Sequence, residues 1–93
     1  MYEIVRSKQF KSSYKRVVKS GYFKHELFKE IFDCLQNGLE LPMKFRDHPL
    51  KANFYGYREC HISGDMLLIY EIDQVNKIIT YSDIGSHSKL FGL

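Results

Sequence analysis

Three of the four histidines in this 93-residue chain lie outside the segments that we predict to be helical. His48 lies in a long connecting segment, His61 ends a strand-like run, and His87 lies near the C-terminus. Loops and strand ends can present side chains to solvent from a rigid scaffold. Because the pKa of imidazole lies near neutrality, these residues suit proton transfer at physiological pH. Three histidines on elements that can converge indicate a site for acid–base chemistry.

Two carboxylates lie close to His61 in the sequence. Strand alternation places Tyr57, Glu59 and His61 on one face, and Asp65 follows after a short turn. A carboxylate beside an imidazole stabilises its charged form or fixes its tautomer. Roles in solubility and turn formation are equally compatible with the local sequence around Glu59 and Asp65.

Histidines and carboxylates without a serine or cysteine nucleophile motif suit the cleavage of RNA by its own 2′-hydroxyl. This reaction needs a base, an acid and cations that stabilise the charged phosphorane. The candidate cations are Arg46, Lys51 and Arg58. An aromatic side chain could also stack on an unpaired base. The candidate aromatic residues are Tyr55, Tyr57 and Phe91.

A metal site is an alternative explanation for the histidines and Asp65. Their separations form no compact zinc motif, and the two cysteines, Cys34 and Cys60, are too few for one. We therefore expect no metal and no other cofactor. Both cysteines are interpreted as reduced packing residues of a cytoplasmic protein.

Two amphipathic helices are predicted to support this site. Ser7 is a suitable N-cap for the first helix, and Gly21 is a suitable end. The second helix is predicted from about Lys24 to Gln36, with Asn37-Gly38 after it. A short strand, 2–5, is predicted to precede both helices.

The last third of the chain has the composition of β-strands. Runs at 55–62, 66–72 and 77–83 are rich in aromatic and β-branched residues, and short turns between them predict antiparallel pairing. A connector at 38–54 contains both prolines. We predict a single α+β domain over 1–93, with two N-terminal helices packed on one face of a small antiparallel sheet of about four strands.

Basic side chains are concentrated in the first 30 residues, which carry eight basic and three acidic side chains, whereas the rest carries six basic and eight acidic ones. A basic half suits a polyanion such as RNA, although a solvated helix face has the same composition. No apolar run approaches the roughly 20 residues that span a bilayer. The first residues lack the apolar core of an export signal. We therefore expect a cytoplasmic protein that does not bind membranes.

Four motifs occur in order between residues 47 and 91. They are DHPLK at 47–51, GYRECHI at 56–62, Asp65 followed by LLIY at 67–70, and GSHSKLF at 85–91. Together they resemble the YafQ branch of the RelE/ParE toxin superfamily, and the helical half agrees in order and length. The resemblance implies a RelE-like, microbial RNase-like fold and mRNA cleavage on the ribosome. It also implies that a cognate antitoxin neutralises the chain, and that the chain is a monomeric toxin within the toxin–antitoxin complex.

The resemblance also suggests roles for individual residues. Positions that match the family's active site are His48, His61, Asp65, His87 and Phe91, with Glu59 at a frequent acidic position. In that interpretation His87 is the general acid and Phe91 stacks on a base. The general base is His48 or His61, helped by one of the two carboxylates, and the resemblance does not decide between them.

The chain departs from its relatives at two positions. Asp83 stands where many relatives carry an arginine, and Met66 stands where they often carry tryptophan. The first change removes a phosphate ligand, for which the three candidate cations are possible substitutes. Two other functions stay open: a ParE-like gyrase poison, against which the histidines and Phe91 argue, and an inactive antitoxin- or RNA-binding module, which Asp83 favours.

Overall fold

Five strands and three helices make up the computed structural model, which describes residues 1–92. The strands are β1 (Glu3–Arg6), β2 (His48–Pro49), β3 (Arg58–Ser63), β4 (Met66–Asp73) and β5 (Ile78–Ser86). The helices are α1 (Lys8–Lys19), α2 (His25–Gln36) and α3 (His87–Phe91). Two 3₁₀ turns, Met43–Phe45 and Ala52–Phe54, interrupt the segment that was predicted to be a plain connector.

The strands form one mixed sheet in the order β1-β5-β4-β3-β2. Strands β2 to β5 pair antiparallel, whereas β1 runs parallel to β5 at the edge. The α+β prediction is confirmed, but the sheet has one more strand than predicted and is not wholly antiparallel. Both long helices and three strands separate β1 from β5 along the chain, and such a long connection allows the two strands to run parallel.

Both long helices pack on one face of the sheet. Phe10 from α1 and Ile31 from α2 are fully buried against Leu68 of β4 and Tyr81 of β5. The predicted N-cap of α1 is confirmed, because the Oγ of Ser7 accepts a hydrogen bond from the Phe10 amide at 3.0 Å. This layer supplies most of the apolar burial and leaves the other face of the sheet available for a site.

The second face is covered only in part. Leu67 and Ile69 of β4 are buried there, and Ile69 borders a depression that Phe54 and Leu90 also line. The rest of this face, along β2 and β3, is open and carries the candidate site. No helix within residues 1–92 is long and apolar enough to cross a membrane.

Candidate active site

Strand β3 supplies two neighbouring side chains of the site. Cys60 and Ile62 point into the core beneath the helices, so alternation sends Glu59 and His61 to the opposite face. The prediction that Glu59 and His61 share a face is confirmed by their contact, with Glu59 Oε1 lying 3.2 Å from His61 Nε2. An irregular register follows His61, where β3 shifts against β4.

The chain before β2 reverses direction at Arg46. The buried ring of Phe45 anchors the 3₁₀ turn, and Arg46 then adopts the left-handed conformation with φ of 45°. Non-glycine residues rarely adopt this conformation, and they are enriched at functional sites when they do. The reversal aligns His48 directly opposite Glu59 in the β2–β3 pair.

Asp47 lies between Arg46 and His48 and contacts one side chain each of β3 and β4. Its carboxylate accepts a hydrogen bond from Arg58 at 2.8 Å and a second from the hydroxyl of Tyr70. Tyr70 is fully buried, and the pKa of its hydroxyl is raised by burial and then by Asp47. The network ties the segment that bears His48 to strands β3 and β4.

Glu59 is the centre of the site. Its side chain is only 6% exposed, and Oε1 lies 3.4 Å from His48 Nε2 as well as 3.2 Å from His61 Nε2. A buried carboxylate requires hydrogen-bond donors or opposite charge to offset the loss of water. His61 is therefore expected to donate toward an ionised Glu59, whereas His48 can do so only when both of its ring nitrogens carry protons.

The partners of each ring determine its protonation pattern. Arg46 has only donors, so its Nη2 at 3.2 Å makes Nδ1 of His61 an acceptor and leaves the ring proton on Nε2, toward Glu59. His48 differs, because its Nδ1 lies 3.1 Å from the Pro49 carbonyl and must carry a proton there. A neutral His48 therefore presents the lone pair of Nε2 to Glu59.

Burial and charge both favour the neutral form of His61. The pKa of His61 is lowered from its ordinary value, first by burial and then by the positive charge of Arg46. Glu59 acts in the opposite direction and only partly offsets these effects. His61 is consequently a neutral ring whose two nitrogens are both occupied.

The site opens into a cleft of about 580 Å³ on the uncovered face. The histidines of β2 and β3 line it together with Glu59, while α3 contributes His87 and Phe91. The cleft is also lined by Leu50, Lys51 and Phe54. His87 is exposed, and its ring lies 4.9 Å from that of Phe91 between centroids.

The remaining predicted site residues are distributed unequally around the cleft. Lys51 lines it and Arg46 reaches its edge through His61. Arg58 is paired with Asp47, and both border a different cavity beside α2. Tyr57 lies in the depression next to Ile69, and Asp65 lies in the exposed turn before β4. The structure therefore brings neither Arg58, Tyr57 nor Asp65 into the cleft.

Asp83 is on the same face of the sheet as the cleft but is directed elsewhere. It is aligned with Ile69 in the β4–β5 pair, and its Oδ1 accepts a hydrogen bond from the Ile84 amide at 2.8 Å. Asp83 does not line the cleft. The Asp83 carboxylate, at the position where the resemblance predicts an arginine, is thus engaged with the amide of the following residue.

Three side chains of the site have the geometry of a possible metal-binding cluster. One ligand atom each from His48, Glu59 and His61 can be chosen so that all three lie within 4.8 Å of one another. Imidazole nitrogens and a carboxylate are ligands that zinc and copper accept. The hydrogen bond from Arg46 leaves Nε2 as the nitrogen of His61 nearest to such an ion.

Phe54 is a cleft residue that the sequence analysis did not select. Its ring lies 5.1 Å from that of Phe91, in an edge-to-face arrangement. The available signal was a large apolar side chain in the connector, directly after Asn53. Its neighbour Tyr55, which was selected, is 85% exposed and does not line the cleft.

Comparisons with known proteins give a consistent result. Residues 2–92 match the family described as the bacterial toxin YafQ of type II toxin–antitoxin systems. The mRNA interferase toxin YafQ of Escherichia coli K12 is 32% identical, with 96% of this chain and 99% of that protein covered. The structure of a copper-bound mutant toxin from Helicobacter pylori matches with a TM-score of 0.90 at 30% identity. The match covers 98% of this chain and 100% of that chain. A chain of the E. coli DinJ–YafQ complex matches with a TM-score of 0.83 at 31% identity. The match covers 99% of this chain and 100% of that chain.

Proposed function

Since the chain belongs to the YafQ family of bacterial type II toxins, we propose that it is an endoribonuclease that cleaves mRNA without a metal ion. The observation that carries the proposal is the cluster of His48, Glu59 and His61 in one cleft with His87. These groups supply the two proton transfers that attack by a 2′-hydroxyl requires. The products are a 2′,3′-cyclic phosphate and a free 5′-hydroxyl.

The pair formed by His48 and Glu59 is the proton acceptor in this mechanism. A neutral His48 places a lone pair 3.4 Å from a carboxylate oxygen, so two acceptors face each other. A proton from the 2′-hydroxyl converts this contact into a charge-assisted hydrogen bond between imidazolium and carboxylate.

His61 serves as a positioning residue in this scheme. It donates to Glu59 through Nε2 and accepts from Arg46 through Nδ1, so it has no free lone pair for the substrate. It keeps the Glu59 carboxylate oriented toward His48, as outer partners do for catalytic groups in other sites. These contacts favour His48 with Glu59, rather than His61, as the proposed base.

His87 is proposed as the general acid that protonates the leaving 5′-oxygen. It is exposed at the start of α3 and lines the same cleft as the base pair. Lys51 also lines the cleft, and Arg46 lies at its edge, so these two cations are proposed to stabilise the phosphorane. They would supply the positive charge that is lost because Asp83 stands where many relatives carry an arginine.

A metal ion on the three-residue cluster is the competing interpretation. The copper-bound Helicobacter pylori toxin supports the capacity of related chains to bind metal. In this chain an ion held by His48 and Glu59 would occupy the lone pairs that the proposed proton transfer uses. Cleavage in the presence of a chelator therefore separates the two interpretations.

We also propose a cognate antitoxin as the protein partner and the translating ribosome as the setting in which mRNA is cut. The E. coli DinJ–YafQ complex supports the first proposal. The basic face of α1 would complement an acidic antitoxin. Co-expression with the product of the neighbouring gene should yield a stable complex, and failure to copurify would contradict the partner.

The test is cleavage of a single-stranded RNA oligonucleotide in EDTA by the wild type and two variants. Glu59→Gln keeps the shape of the side chain but cannot accept a proton, and His87→Ala removes the acid. We expect each variant to lose about 10²–10⁴-fold in rate. The products should carry 2′,3′-cyclic phosphates by mass spectrometry. Glu71→Gln, which removes an exposed carboxylate from β4, should cleave normally.

Unfolding curves for all variants distinguish lost chemistry from lost structure. If free RNA is not cleaved, the same proteins are tested on translating ribosomes. The cleavage rates of the variants are expected to rank in the same order there. Activity that requires a metal ion would overturn the metal-independent mechanism. Inactivity on ribosomes, with or without inhibition of gyrase, would overturn the ribonuclease proposal itself.

A further inference from the structure

One wall of the cleft is built from aromatic rings. Phe91 lies 4.9 Å from the ring of His87 on one side and 5.1 Å from the ring of Phe54 on the other. All three side chains line the cleft that contains Glu59. Phe54 is therefore the outer ring of a row that begins at His87.

The geometry of the row restricts where a flat ligand can stack. The planes of Phe54 and Phe91 differ by 81°, so a nucleobase can lie parallel to only one of them. Phe54 is 37% exposed, whereas Phe91 is half-buried between its two neighbours. The ring with more free surface is the better platform for stacking.

The loop around Phe54 is shaped by its backbone rather than by burial of this ring. The Phe54 amide donates to the Lys51 carbonyl at 3.1 Å, and the Tyr57 amide donates to the Phe54 carbonyl at 3.0 Å. Ala52 adopts a φ of 55°, which is unfavourable for a residue with a Cβ. Phe54 is not part of the hydrophobic core. A large ring that is 37% exposed and lies in a strained loop suggests a binding role.

We propose that Phe54 is the platform on which an unpaired RNA base stacks next to the cleaved phosphate, with Phe91 as the supporting ring. The proposal rests on the proposed function, because it places an RNA nucleotide in this cleft. It identifies the substrate as single-stranded, since the base must be free to leave its own stack. Stacking tolerates any base, so Phe54 contributes affinity more than sequence preference.

A tryptophan reporter tests the proposal directly, because the chain contains no tryptophan. In Phe54→Trp, a 2′-O-methyl oligonucleotide that cannot be cleaved should quench the indole fluorescence in a saturable titration. The matched control is Tyr55→Trp, at the adjacent position that is 85% exposed outside the cleft. We expect little quenching there. Equal quenching at both positions, or none at Phe54→Trp, would overturn the platform.

Affinity measurements separate stacking from simple packing. Phe54→Leu keeps an apolar side chain but removes the aromatic face, so we expect about tenfold weaker binding of the same oligonucleotide by fluorescence anisotropy. Phe54→Trp should bind at least as well as the wild type. Both variants should unfold at the wild-type temperature, because Phe54 lies outside the core. Wild-type affinity in a folded Phe54→Leu protein contradicts the proposal.

The oligonucleotide used for binding keeps this test independent of catalysis. If the wild type cleaves no RNA but Phe54→Trp is quenched and Phe54→Leu binds weakly, the ribonuclease proposal fails and the platform stands. If RNA is cleaved while both binding results are negative, the ribonuclease stands and the platform fails.

Discussion

His61 is influenced by groups of opposite charge on its two nitrogens. Glu59 favours protonation of the ring, whereas Arg46 and His48 oppose it. Burial is the largest influence, and it acts together with Arg46 to lower the pKa of His61. A ring that is neutral at physiological pH can donate one hydrogen bond and accept another without exchanging protons. Its position in the site is therefore sensitive to Arg46.

Replacing Arg46 should change how His61 titrates. In Arg46→Gln the neighbouring positive charge is lost, so the pKa of His61 is expected to rise toward its ordinary value of 6.5. The measurement is an NMR titration of the imidazole protons. Lys44→Gln is the matched control, because Lys44 pairs with Glu30 at 3.0 Å and is not among the causes of the His61 shift. An identical His61 titration in Arg46→Gln and wild type would contradict the assigned contact.

The same variant should alter the pH dependence of stability. Because the pKa of His61 is lower in the folded than in the unfolded protein, the unfolded state binds more protons just below pH 6.5. The contribution of His61 to stability is present above that pH and is lost as the pH falls through the lowered pKa. Arg46→Gln should show a shallower loss on acidification in urea unfolding experiments.

At the scale of elements, the segment 46–48, which leads into β2, contacts both sides of the sheet. Arg46 and His48 contact residues of the open face, whereas Asp47 contacts Arg58 and Tyr70 on the helix side. Alternation along an extended segment produces this arrangement. The segment is thus anchored on one side of the sheet so that it can carry functional groups on the other.

Two buried tyrosines provide a test of this anchor. Tyr70 and Tyr81 are paired across β4 and β5, and each is 1% exposed. The Tyr70 hydroxyl donates to Asp47, whereas the Tyr81 hydroxyl has no hydrogen-bond partner among residues 1–92. Tyr70→Phe should therefore lower the free energy of unfolding by about 1.5–3 kcal/mol, while Tyr81→Phe should have a much smaller effect. Urea unfolding of both variants measures the difference, and equal losses would contradict the anchor.

Local patterns in the sequence predicted most of these elements. Ser7 and the apolar spacing after it identified α1, and alternation in β3 placed Glu59 with His61. The parallel pairing of β1 with β5 was not predicted, because the choice of a distant partner leaves no local pattern. The short helix α3 was also missed, since five residues are too few to show periodicity.

The site was predicted less completely than the fold for a related reason. The alternation that brings Glu59 and His61 together also sends Arg58 to the other face, so the absence of Arg58 from the cleft was predictable from the strand pattern. Phe54 was not accessible in this way. Its place in the cleft depends on the left-handed backbone at Ala52. Glycine or asparagine would signal such a backbone in a sequence, but alanine does not.

At the scale of the whole molecule, the positive charge extends beyond the cleft. A groove of about 290 Å³ between α1 and the end of β5 is lined by Arg16 and Lys89. Helix α3 separates this groove from the cleft, since its Lys89 lines one and its His87 the other. An RNA strand that leaves the cleft over α3 would therefore meet these two cations.

This arrangement makes the salt dependence of RNA binding diagnostic. Each phosphate contact contributes about 0.7 to the slope of log affinity against log salt for a single strand. Arg16→Ala and Lys89→Ala should each reduce the slope by about that amount for a long non-cleavable oligonucleotide, and neither should affect a dinucleotide confined to the cleft. Lys29→Ala on α2, where Lys29 is 76% exposed and pairs with Asp33, should leave both slopes unchanged. Equal effects of all three substitutions would mean that RNA affinity depends only on the overall charge of the protein. The proposed path of the RNA across α3 would then be wrong.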